Sequence, residues 1–324
     1  MTDFSLSRRG LFRATAGGAA ATLLAGQAVQ AASHAAAAAF LPTTYDRMVG
    51  TLRVTTVMDG YFDLGQEIIT NLDPAMIKDG MTAAYLDPAG PMRLAISSHI
   101  VRSGDQITLI DGGAGMAFGP TAGRLQASLA ALGIMPDMVT RIVATHMHPD
   151  HIGGLMGEAG AAFPNASLHI NEADLAFWTD EGIAAGAPAD FQPFFALARG
   201  LRDAYAPRLM PFAGDVDLGA GLSTIAMPGH TPGHSGLRVA DGADQMIIWG
   251  DCAALAALQF RHPDAGIAFD ADGAMAATTR RKVLDMVVAD RIAVAGTHLP
   301  FPGVGHVEAR DGAFAWVPEE WRAL

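Results

Sequence analysis

Four side chains able to hold a metal ion fall within six residues in His146-Met147-His148-Pro149-Asp150-His151. In an extended segment alternate side chains share a side, so His146 and His148 can grip one ion. Pro149 then turns the chain, since its fixed φ suits the first position of a helix. That turn aims Asp150 and His151 at a neighbouring point, where a second ion can sit. Gly153 and Gly154 remove side-chain bulk beside it. The spacing is not the i, i+4 pair of a helix-borne H-E-x-x-H zinc site. Nor is it a Cys-rich structural zinc site, which would be closed to substrate. The chain has one cysteine, Cys252, read as a small buried thiol.

Two ions need more than four donors. His230, Asp251 and His298 supply them in this reading. His146, His148 and His230 hold one ion, Asp150, His151 and His298 the other, and Asp251 bridges. Imidazoles and carboxylates suit zinc, and also manganese, iron or cobalt.

The elements that must position these residues are short, β-branched, apolar runs. Gln106–Ile110 leads to Asp111, Thr140–Ala144 to His146, Leu222–Ala226 to His230, Met246–Trp249 to Asp251 and Arg291–Ala295 to His298. Each has strand length and composition. Helices are expected between them. Thr121–Leu132 spaces Leu125, Leu129 and Leu132 on one face. Asn171–Trp178 opens with an Asn cap and Asp174 three residues on, a variant of the capping box. Thr278–Ala289 carries Val283, Met286 and Val287. No polar linker divides residues 45–324, so one domain is expected there.

In order, H-x-H-x-D-H, Gly229-His230-Thr231-Pro232-Gly233-His234, Gly250-Asp251 and Thr297-His298 resemble the metallo-β-lactamase superfamily in its binuclear hydrolase form. Phe118-Gly119-Pro120-Thr121, Phe163-Pro164-Asn165-Ala166 and His298-Leu299-Pro300-Phe301-Pro302-Gly303 are similar to methyl parathion hydrolase and its lactonase-like relatives. The resemblance implies an α+β fold, an αββα sandwich of two mixed sheets flanked by helices, with the metals at the sheet edge. It implies Asp111 as a carboxylate orienting a metal-bound histidine, and Phe118, Trp178 and Phe195 as pocket residues. His234 and His306 are read as loop-pinning.

The chemistry expected is hydrolysis by a metal-bridging hydroxide, with Asp150 or Asp251 passing a proton to the leaving group. No G-x-S-x-G nucleophile motif is present. The segment from Asp59 to Asn71 has no basic residue, and Cys252-Ala253-Ala254 is small where bulkier aliphatics are expected. A lactone, including an acyl-homoserine lactone, or a carboxylic ester is therefore placed ahead of a phosphotriester. Two rivals remain. A glyoxalase II-like thioesterase would need a basic patch after His298, where only Arg310 and Arg322 occur. A mononuclear iron oxidoreductase of the persulfide dioxygenase type would use fewer ligands.

A net charge of −12 and scattered Lys and Arg exclude the basic footprint of a nucleic-acid binder. Ser7-Arg8-Arg9-Gly10-Leu11-Phe12, a mildly hydrophobic stretch and Val29-Gln30-Ala31 resemble a twin-arginine export signal. Residues 1–31 are then a signal read by the export machinery, 32–44 a flexible linker, and the product periplasmic or secreted. Relatives of the resembled family suggest a homodimer.

Overall fold

The computed structural model of the protein describes residues 42–321. The export signal expected at 1–31 lies outside them, as does most of the expected linker. The first strand, Thr44–Val49, begins at that linker's last residue.

Two seven-stranded sheets carry the chain. The first runs in the order Thr44–Val49, Leu52–Leu64, Met92–Ser103, Gln106–Ile110, Arg141–Val143, Ser167–Asn171, Leu209–Phe212. It is antiparallel as far as Gln106–Ile110 and parallel from there on. The second runs Asp217–Gly219, Leu222–Ala226, Ser235–Asp241, Asp244–Ile248, Ala293–Ala295, Val304–Arg310, Ala313–Pro318. Its one parallel pair is Asp244–Ile248 with Ala293–Ala295.

Among the described residues seven α-helices join them: α1 (Pro74–Ala83), α2 (Leu125–Ala131), α3 (Pro149–Ile152), α4 (Glu172–Thr179), α5 (Glu181–Gly186), α6 (Gln192–Tyr205) and α7 (Gly273–Ala289). The sheets are apolar on both faces, and the period of two assigns each side chain. Val101, Ile110, Val143, Leu237, Met246 and Ile248 pack between the sheets. Their neighbours Leu109, Ile142 and Leu168 face outward under α2, α4 and α6. On the far side Ile247, Trp249 and Val294 meet Val283, Leu284 and Val287 of α7. Burying each such side chain contributes about 1.5–3 kcal/mol, enough to fix the register of every central strand. The result is the expected sandwich of helices, two mixed sheets and helices.

Three helix expectations change. The helix expected from Thr121 starts only at Leu125. The Asp59 carboxylate takes the N–H groups of Ala114, Gly123 and Leu125 at 2.7–3.0 Å, which holds the preceding residues as a loop. The helix expected from Thr278 starts at Gly273, because Asp272 caps it through Met275 N at 2.9 Å. At α4, Asn171 caps through Ala173 N at 2.9 Å, but Asp174 turns away from the capping box to accept from two distant loops. No helix among the described residues is long and apolar enough to cross a membrane.

Candidate metal centre

In sheets with parallel strands, sites form beyond the carboxyl ends of those strands, where the chain leaves for its next crossover. Here two parallel pairs, one in each sheet, deliver residues to the same edge. Asp111 follows Ile110, and Thr145-His146 follows Val143. Asp251 follows Ile248, and His298 follows Ala295. Pro149 opens α3 as expected, carrying Asp150 and His151 in one turn. His230 comes from the loop between Leu222–Ala226 and Ser235–Asp241. Gly250 turns the chain into Asp251 at φ +54°. A Cβ there would meet His234 Nε2 at 2.8 Å and Thr145 Oγ1 at 3.0 Å, so only glycine fits.

All seven expected donors meet. His146, His148 and His230 form one group, Asp150, His151 and His298 another, and every donor atom within a group lies within 4.8 Å of the others. His148 Nδ1 stands 3.0 Å from both His146 Nε2 and His230 Nε2. Asp251 lies between the groups. Its Oδ1 is 3.2 Å from His151 Nε2, and its Oδ2 is 3.3 Å from His230 Nε2 and 3.0 Å from His298 Nε2. Asp150 Oδ2 is 3.2 Å from His298 Nε2 and 3.6 Å from His151 Nε2.

These contacts suit divalent cations better than a closed hydrogen-bond network. Three imidazole nitrogens converge in the first group. His151 Nε2 and Asp251 Oδ1 are buried without a hydrogen-bond partner, a costly state that bound cations relieve. The electrostatics agree. Burial and the neighbouring imidazoles push His146 and His148 well below the usual histidine range. Burial also opposes charge on His230 and His298, yet the surrounding carboxylates lift them to about 9 and about 10. Burial raises the Asp150 carboxyl, but His151 and His298 outweigh it and hold it at about 2. The centre demands positive charge, met by protons on imidazoles or by metal ions in their place.

A ring of further residues fixes the donors. Asp111, itself at φ +59°, accepts from Thr145 N at 2.8 Å and lies 2.8 Å from His151 Nδ1. His234 donates from Nδ1 to Met227 O and accepts Asp251 N at Nε2, both at 3.0 Å. Burial pushes His234 down to about 3, which keeps that acceptor free. His298 Nδ1 donates to Ala95 O at 2.7 Å, across the two sheets. Asp270, which the sequence reading missed, lies 2.8 Å from His230 Nδ1. Nothing in its spacing marks it, since the loop that carries it follows no strand-end pattern. His306 lies on Val304–Arg310, beside Arg47 and Glu319, and takes no part in the centre.

Above the donor groups opens a cavity. His148, Asp150, His230, Asp251 and His298 form its floor. Every other lining side chain is apolar: Phe62, Leu64, Ile68, Leu94, Phe118, Phe194, Ala254, Leu255, Ile267 and Phe269. Phe118 stacks on Phe62 at 5.1 Å. The expected pocket residues Trp178 and Phe195 are not in this wall. Their rings lie 5.0 Å apart in the core between α4 and α6, exposed by 2% and 0%. Helical spacing explains the correction: Phe195, Ala198, Leu201 and Tyr205 form the buried stripe of α6, which leaves Phe194 at its edge, facing the cavity.

The metallo-beta-lactamase superfamily model matches residues 92–298. A probable metallo-hydrolase of Mycobacterium bovis is 30% identical over 190 residues, covering 49% of this chain and 57% of that relative. The metallo-beta-lactamase domain-containing protein 1 of Mus musculus is 34% identical over 113 residues, covering 35% of this chain and 32% of that relative. The chain thus spans little more than half the length of the first of these relatives and about a third of the second. Among solved structures, AidC, a dizinc quorum-quenching lactonase in complex with a product, N-hexanoyl-L-homoserine, superposes with a TM-score of 0.82 at 25% identity. That match covers 87% of this chain and 99% of AidC. The hydrolase AbOPH of the beta lactamase superfamily superposes with a TM-score of 0.81 at 28% identity, covering 88% of this chain and 100% of AbOPH. With its sandwich fold and its histidine and aspartate clusters at the sheet edge, the chain belongs to the metallo-β-lactamase superfamily.

Proposed function

We propose that the protein is a binuclear zinc hydrolase that opens a lactone or cleaves a carboxylic ester bearing apolar groups. The observation that carries this reading is the cavity. It ends on five of the seven donors and, among the described residues, offers no Lys or Arg, and no hydroxyl or amide side chain, elsewhere in its wall. A carboxylate-bearing thioester or lactam would have to shed its hydration against phenylalanine and leucine. An uncharged substrate enters at no such cost and gains from apolar burial. AidC, a lactonase of the same fold, is seen with N-hexanoyl-L-homoserine, a product whose parent lactone is neutral. A phosphotriester is neutral too and stays the second reading.

In this proposal His146, His148 and His230 would hold one cation and Asp150, His151 and His298 the other, with Asp251 between the two groups. Cations there would supply a nucleophile from water near neutral pH and polarise the substrate oxygen. The chain's own residues do the rest. Phe62, Phe118, Phe194 and Phe269 orient the apolar substituents and exclude bulk water. Asp150 meets His151 and His298 through Oδ2; held ionised at about 2, it can take at Oδ1 the proton released by the attacking water and pass it to the leaving alkoxide, and we assign it that relay. Asp150→Asn is expected to lower kcat by about 10²–10⁴-fold.

The deciding experiment is a panel on zinc-loaded protein: acyl-homoserine lactones, simple lactones, aryl esters and phosphotriesters, beside a glutathione thioester. Turnover of lactones or esters well above the thioester is expected. A fully loaded protein inert on every neutral substrate would sink the reading. Twin-arginine export is proposed on the Ser7–Phe12 motif alone. Arg8→Lys with Arg9→Lys is expected to leave the product in the cytoplasm, as cell fractionation would show.

A further inference from the structure

Asp174 stands in the first turn of α4 with 0% exposure. Its Oδ2 accepts the main-chain N–H of Met147 at 2.9 Å, and its Oδ1 accepts that of Gly233 at 2.6 Å. Met147 lies between His146 and His148, and Gly233 lies three residues past His230. One carboxylate therefore ties together the two loops that supply the three-histidine group.

The joint is tight. A Cβ on Gly233 would stand 2.5 Å from the Asp174 backbone nitrogen and 2.7 Å from Asn171 Oδ1, so the His230 loop presses directly onto the start of α4. Four residues on, Trp178 occupies the same helix face and meets the His148 ring edge-on, with centroids 5.2 Å apart. Helix α4 thus grips the H-x-H segment twice, by its backbone through Asp174 and by a ring through Trp178. The second donor group is anchored elsewhere: His151 by Asp111 and His298 by Ala95 O.

We propose that Asp174 is a positioning residue that sets cation affinity at the His146–His148–His230 site selectively, by locking two ligand-bearing loops at the separation one cation requires. The assignment rests on the metal-binding reading above. Asp174 touches none of the donor side chains and does not line the cavity, so its effect passes through the backbone. Asparagine cannot replace it. Its amide has one acceptor oxygen, and its NH₂ would face the second N–H donor.

The test compares apo wild type and D174N in zinc titrations against a chromophoric chelator. Wild type is expected to take up two equivalents. In D174N one step weakens by about 10–100-fold, while the other stays within about threefold. Introducing D174N into a His298→Ala background, which disables the second group, identifies the affected site: the remaining binding should weaken by the same factor. Wild-type affinity at both steps in D174N would overturn the proposal. So would equal weakening of both steps with loss of cooperative unfolding of the apo protein, which would make Asp174 general scaffolding. Should D174N not fold, Gly233→Ala loads the same joint from the loop side and is read the same way. Failure of the metal reading itself would show in wild type, as no zinc uptake.

Discussion

Three imidazoles at the centre present one nitrogen to their neighbours and have the other tied down. His151 Nδ1 is held by Asp111, His230 Nδ1 by Asp270 and His298 Nδ1 by Ala95 O. All three then offer Nε2. His148 is the exception and offers Nδ1. Such partners fix tautomer and ring orientation before an ion arrives, which lowers the reorganisation that binding requires. Asp270→Ala should therefore weaken zinc binding by about 10–100-fold, measured by chelator competition. Unchanged affinity would show that the loop alone orients His230. His148→Ala should lose at least one metal equivalent and nearly all turnover, with elemental analysis and a rate assay as the paired readouts.

At the scale of elements, α6 separates core from pocket. Phe195 is in its buried stripe and Phe194 at the cavity wall. Phe195→Ala should cost about 3–5 kcal/mol of stability, seen as a lower unfolding midpoint. Phe194→Ala should leave the midpoint nearly unchanged and raise KM for apolar substrates several-fold. The reverse pattern would return Phe195 to the pocket. The loop bearing Phe118 has a comparable fixture. Asp59 sits at a bulge in Leu52–Leu64, where the register with Met92–Ser103 shifts, and its carboxylate collects three N–H groups from that loop. Bulges re-aim side chains in this way. The five ligand-leading strands were legible because their β-branched runs are short and stop at a donor. The start of α2 was not, because a carboxylate 66 residues upstream of Leu125 decides it.

Across the whole molecule, the two sheets enclose a polar group as well as an apolar core. His99 pairs with Ile110, which faces the second sheet, so His99 faces it too. It is fully buried, and its Nδ1 lies 3.2 Å from Thr56 Oγ1. Burial pushes it down to about 4. The unfolded chain takes up this proton near the ordinary value of 6.5, so between those values the unfolded state binds more protons. Stability from this group is intact above that range and lost as pH falls through it, by on the order of 3 kcal/mol at pH 4. His99→Gln should flatten this limb of the stability curve in denaturant titrations at pH 7, 5.5 and 4. An unchanged pH slope would assign the acid sensitivity to other groups.

The sequence by itself marked the seven candidate donors and the strands that lead to them, because strand length, β-branching and the H-x-H-x-D-H spacing are local properties, and the fold class followed from the family those motifs resemble. It also marked Asp111 and His234 as supporting residues through their place in motifs. Only the tertiary structure decided that Asp270 holds His230, that Asp174 joins two loops instead of capping its own helix, and that Phe194 rather than Phe195 faces the cavity. Each depends on which distant backbone or ring comes within a few ångströms, and separation along the chain carries no trace of that distance until the two sheets close on each other.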